Sequence, residues 1–85
     1  MIRFDTGEVR VPNDGEVDIL GRIYEDDCFV SEMTLVREGS QFVIDCAFES
    51  LVFPTIQKGK AVDENFIKEK RDSVWRSIQR AREAA

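Results

Sequence analysis

Eighty-five residues are too few for two domains that each bury a core, and a 42% hydrophobic content spread along the whole chain excludes an acidic disordered tail. The formal net charge of −5 hides a split: residues 1–57 carry twelve acidic and four basic side chains (net −8), residues 58–85 eight basic and five acidic (net +3), so only the C-terminal part attracts nucleic acid. No apolar run reaches the roughly 18 residues that cross a bilayer and Met1–Asp5 has no secretory apolar stretch, so a cytoplasmic protein away from membranes is expected.

In chain order, Ile2–Val11 reads as a hairpin: a Thr6-Gly7 loop pairs Phe4 with Val9 and Ile2 with Val11, and all four apolar side chains then share one face. Pro12-Asn13-Asp14-Gly15 follows as a firm turn. From Val17 to about Val52 the chain reads as a three-strand meander with turns at Glu25-Asp26-Asp27 and Glu38-Gly39. A two-residue Glu38-Gly39 loop sets Phe29, Ser31, Met33 and Leu35 opposite Phe48, Cys46, Ile44 and Phe42. A three-residue loop at 25–27 sets Val17, Ile19, Gly21 and Ile23 opposite Leu35, Met33, Ser31 and Phe29. Both loops put the apolar residues on one face, which is the criterion for register.

Glu49–Lys60 is less regular, with Phe53-Pro54 ending a strand and Gly59 marking a loop. A helix begins near Asp63, its N-cap, with Val62 placed to pack on Ile67 as a hydrophobic staple. Phe66, Ile67, Val74, Ile78 and Ala81 form its apolar stripe, which should lie on the apolar face of the sheet. The expected fold is one α+β domain over residues 1–85, an antiparallel β-meander (N-terminal hairpin plus three strands) packed against one C-terminal α-helix.

The chemistry expected is mostly negative. There is no histidine, the commonest general base, and no GxSxG, Walker A, GxGxxG or HExxH motif, so no enzymatic activity and no cofactor are expected. Cys28 and Cys46 form no CxxC and lie on opposite faces of the expected sheet, which implies two free thiols, Cys46 buried as a small hydrophobe. Asp14, Glu16 and Asp18, or Glu25, Asp26 and Asp27, offer oxygen ligands to a divalent cation, but neither set matches an EF-hand loop and solvated charge is the ordinary reading, so no metal site is expected.

Two surfaces are candidates for a partner. On the helix, Lys68, Arg71, Trp75, Gln79 and Arg82 form one stripe, in which Trp75 either anchors a partner among cations or folds over the sheet edge or the 53–60 loop. On the far face of the meander, Leu20, Tyr24, Val30, Val36, Val43 and Ala47 surround Arg22, Glu32 and Asp45, with Glu32 opposite Asp45; either the N-terminal hairpin or a partner covers this face. The leading expectation is a non-enzymatic protein-binding module, an acidic inhibitor of a basic, nucleic-acid-handling partner in the manner of phage anti-defence or bacterial immunity proteins, with Asp26 and Asp27 steering the encounter. The alternatives are a nucleic-acid-binding module using the basic helix, and an assembly subunit or homodimer in which the helix of one copy meets the acidic sheet of another.

Overall fold

A computed structural model describes residues 1–83. Strands β1 (Ile2–Thr6), β2 (Val17–Glu25), β3 (Cys28–Glu38), β4 (Gln41–Asp45) and β5 (Ser50–Pro54) form one antiparallel sheet in sequence order. A two-stranded ribbon of β6 (Ile56–Gln57) and β7 (Lys60–Ala61) leads into α1 (Glu64–Glu83), which lies on one face of the sheet. The fold is thus the expected α+β meander under a C-terminal helix.

The N-terminal hairpin does not form. β1 pairs with β2 instead, Phe4 opposite Ile23, and residues 7–16 run without strand structure. The gain lies in burial: Phe4 stacks on Trp75 with centroids 5.1 Å apart, and Val9, released from its expected strand, enters the core, while Val11 is exposed. The Asn13–Glu16 turn does form, closed by the Glu16 N–H donating to the Asn13 carbonyl with Gly15 at φ 80°.

Gly21 is what allows the Phe4–Trp75 stack. A Cβ there would sit 2.5 Å from the Phe4 ring and 2.6 Å from the Asp5 carbonyl oxygen. Valine at position 21 must displace both, and overpacking of this kind costs about 1–3 kcal/mol. Urea unfolding followed by the fluorescence of Trp75, the only tryptophan, should show a lowered midpoint for Gly21→Val; an unchanged midpoint would mean that β1 does not pack as described.

The β2–β3 ladder contains two irregularities that the expected register lacks. Gly21 pairs with Met33 but Ile19 with Thr34, so Leu20 is an extra residue; Tyr24 pairs with Phe29 but Ile23 with Ser31, so Val30 is another. An extra residue in one strand reverses the facing of everything beyond it. Leu20 therefore turns into the core, whereas Val17 and Ile19, and at the other end Phe29, move to the outer face. The β3–β4 turn is Gly39-Ser40, one residue later than expected, giving Leu35 opposite Ile44 and Arg37 opposite Phe42. That is a shift of two residues in pairing, and with a side-chain period of two it leaves the apolar faces as expected.

The 25–27 loop closes as a two-residue turn, Asp26 and Asp27 at φ 51° and 63°, a backbone whose twist suits the flanking strands. β4 stops at Asp45 because the chain turns back over Cys46–Glu49, the Cys46 N–H donating to the Glu49 carbonyl, and β5 returns beside it with Phe53 opposite Phe42. The inner face carries Leu20, Ile23, Met33, Leu35, Phe42, Ile44 and Phe53, closed by Val9, Val62 and by Ile67, Val74 and Ile78 of α1. The Phe66 N–H donates to Asp63 Oδ1 at 2.9 Å, the expected cap, and Val62 and Ile67 are both buried. Phe66 is half-buried, 5.8 Å from the Phe53 ring, but Ala81 is exposed, so the apolar stripe ends at Ile78.

Both cysteines are free, Cys28 exposed and Cys46 half-buried with its Sγ donating to the Glu49 carbonyl at 3.4 Å. Distance along the sheet keeps them apart. Cys46 follows Asp45, which pairs with Thr34, six residues along β3 from Cys28, or roughly 20 Å at about 3.3 Å per residue; a disulfide requires Cα atoms within about 7 Å. Thiol titration should find two free groups, Cys28 reacting at once and Cys46 more slowly until the protein is denatured. A disulfide in the purified protein would contradict this register.

Candidate functional site

The side of the sheet away from α1 is built by the pleat: each strand that sends one residue into the core sends its neighbour outward. Register then sorts the outer residues into rows across the strands. One row is entirely valine, Val17 opposite Val36, Val36 opposite Val43 and Val43 opposite Val52, spanning β2 to β5. At about 4.8 Å per strand it is roughly 14 Å long. Val17 and Val52 at its ends are 59% and 52% exposed, while Val36 and Val43 are shielded only in part. The N-terminal segment, whose expected hairpin was one candidate to cover this face, instead adds β1 to the edge of the sheet.

Rows of mixed, mostly polar residues border the valines. On one side lie Glu38, Gln41 and Pro54; on the other lie Ile19, Thr34, Asp45 and Ser50, and beyond them Asp5, Arg22 and Glu32. Of the expected far-face residues, Arg22, Tyr24, Glu32, Val36, Val43 and Asp45 share this face. Leu20 is buried in the core and Ala47 falls in the turn after β4. The expected Glu32–Asp45 juxtaposition is absent because of the two-residue shift in pairing. Asp45 lies opposite Thr34 and accepts a hydrogen bond from Ser50 Oγ at 2.6 Å, while Glu32 lies opposite Arg22. Tyr24 meets Phe29 edge-on at 5.9 Å and carries the Arg3 guanidinium 4.6 Å above its ring.

The acidic turn at 25–27 is neutralised from within. The Met1 ammonium lies 2.5 Å from Asp26, Arg3 lies 2.9 Å from Asp27, and Arg82 pairs with Glu25. The hydrogen bond between the Met1 ammonium and Asp26 raises the amine above its usual pKa and lowers the carboxyl below its own. Asp26 and Asp27 are therefore paired with the cations of Met1 and Arg3 and offer a partner little net charge. Asp14 and Glu16 are likewise occupied, accepting from the Gly39 and Asn13 N–H groups. Among the described residues, no three His, Cys, Asp or Glu side chains converge on a point where a metal ion would sit, and no helix is long and apolar enough to cross a membrane.

The helix stripe turns toward the protein. Trp75 packs on Phe4, Arg71 is only 12% exposed in its side chain with its Nε bonded to Asp72, and Arg82 holds Glu25 while lying over the Phe48 ring. Gln79 is half-buried, and Lys68 alone of the five is exposed without an ion pair among the described residues. The solvent side of α1 instead shows Arg76 and Arg80 with Glu69 and Glu83. Sequence reasoning missed Val17, Ile19 and Val52 as outer-face residues. Val52 was legible in principle, since Leu51-Val52-Phe53 alternates two inward residues about an outward one. Comparison of the chain with protein-family models, with curated proteins and with solved structures finds no match.

Proposed function

We propose that the chain is a non-enzymatic protein-binding module whose docking surface is the outer face of the sheet, and that its partner presents an apolar strip flanked by basic side chains. The valine row supports this reading. Four β-branched side chains in cross-strand register, half open to water, make an apolar strip without a solvation role, and fully burying a valine is worth roughly 1.5 kcal/mol. The rows beside it bring Glu38 and Asp45 and the next row Glu32, with Arg22 as the one nearby cation not in an ion pair among the described residues. With the 25–27 turn neutralised, these carboxylates rather than Asp26 and Asp27 attract the partner. Covering a basic site would make the module an inhibitor of that partner.

The chemistry is testable with a defined probe, a short helical peptide with leucine on one face and lysine on the other, titrated into methyl-labelled protein. Shifts are expected at Val36 and Val43, and binding should weaken as salt rises because the flanking charges are exposed. A peptide with serine in place of lysine should bind less. Shifts centred on α1, or none at all, would overturn the reading.

A further inference from the structure

Where β5 lies at the margin of the sheet, its backbone is prepared to receive another strand. The Cys46 N–H donates to Glu49 and the Thr55 N–H to Ser40, which in the antiparallel register makes 44 with 51 and 42 with 53 the hydrogen-bonded pairs. The N–H and C=O of Leu51 and Phe53 therefore face β4, and those of Ser50 and Val52, with the C=O of Pro54, face outward, where β5 has no neighbouring strand among the described residues. Free edges are usually guarded by charge. Here the chain from Ser50 to Gln57 has no charged residue, although 34% of the sequence is charged. The opposite edge, β1, carries Arg3 and Asp5 and is flanked by Trp75.

We infer that β5 pairs antiparallel with β5 of a second copy about a two-fold axis at Val52. The pattern is complementary to itself. Each Val52 N–H donates to the other copy's Val52 carbonyl, and each Ser50 N–H donates to the other copy's Pro54 carbonyl. Pro54 has no N–H to give, which ends the pairing there. In this register Glu49 faces Thr55 of the other copy, so no carboxylate opposes a carboxylate in spite of the net charge. The valine row then runs unbroken across both sheets, which doubles the outer docking surface. One short strand per copy makes a small interface of the weak class, so the dimer should depend on concentration.

Sedimentation equilibrium over a concentration series into the millimolar range tests this. The wild-type chain should show a monomer–dimer equilibrium. Val52→Pro removes an outward N–H that β4 does not use, and should leave a monomer. V52K, which sets two ammonium groups across the two-fold, should do the same should the proline variant fail to fold. Val43→Lys, on the outer face but away from the edge, should dimerise like wild type. A monomer throughout the series, or a dimer abolished by Val43→Lys and kept by Val52→Pro, would overturn the inference. Peptide binding at Val36 and Val43 is read separately by methyl shifts, so either proposal can fail without the other.

Discussion

Ile44→Ala is expected to lower stability by about 2–5 kcal/mol, the range for removing most of a fully buried aliphatic side chain. Ile44 is completely buried between Leu35 and Leu51 on the inner face of the central sheet. Phe42, Met33 and Ile67 of the same core belong to strands and a helix held by backbone hydrogen bonds, so the cavity closes only in part. Against the 5–15 kcal/mol typical of whole domains this is a large share, and the variant should unfold at a much lower urea concentration. Lys68→Ala, exposed on α1, should leave the midpoint close to wild type. Equal midpoints for the two variants would mean that the faces of β4 are reversed.

The adjacent residue on the same strand should behave in the opposite way. Val43 points outward between Val36 and Val52. Lysine at this position costs folding little, within about 1 kcal/mol, because strand preference on an open face spans no more than that. For docking it does two things at once: it removes apolar area from the middle of the valine row, and it places a cation where a basic partner must approach. At 1.4 kcal/mol per tenfold, losing one buried valine contact alone weakens binding by about tenfold, and charge repulsion adds to it. Glu32→Lys, beyond the border of the row, should act chiefly on the rate of association and its dependence on salt.

What the sequence makes legible here is whatever depends on side-chain period and on turn residues. Met33, Leu35, Phe42 and Ile44 alternate cleanly, and the Gly39 turn could slip by two residues in pairing without disturbing their faces. The Asp63 cap and the Val62–Ile67 pair are local and were equally plain. The bulges at Leu20 and Val30 were marked only in part: the doubled apolar residues Ile19-Leu20 and Phe29-Val30 and the in-strand Gly21 interrupt the alternation, but which residue is extra is set by the pairing of β2 with β3. The N-terminal hairpin failed for a related reason, since the Thr6-Gly7 pairing is locally sound but buries less than β1 gains beside Ile23 under Trp75. Hence about half of the outer face, Arg22, Tyr24, Glu32, Val36, Val43 and Asp45, could be named in advance. Val52 was open to the same alternation argument through Leu51 and Phe53, whereas Val17 and Ile19 depended on the long-range pairing of β2 with β3.

The most direct measurement is the methyl spectrum of the labelled protein during titration with the leucine–lysine peptide, wild type beside Val43→Lys, with both shown to be folded by their urea midpoints. The proposal requires shifts at Val36, Val43 and the ends of the row in the wild type, and binding at least tenfold weaker in the variant. Equal affinity in the two proteins, or shifts that spare these valines and follow α1 instead, would contradict the outer face as the docking surface.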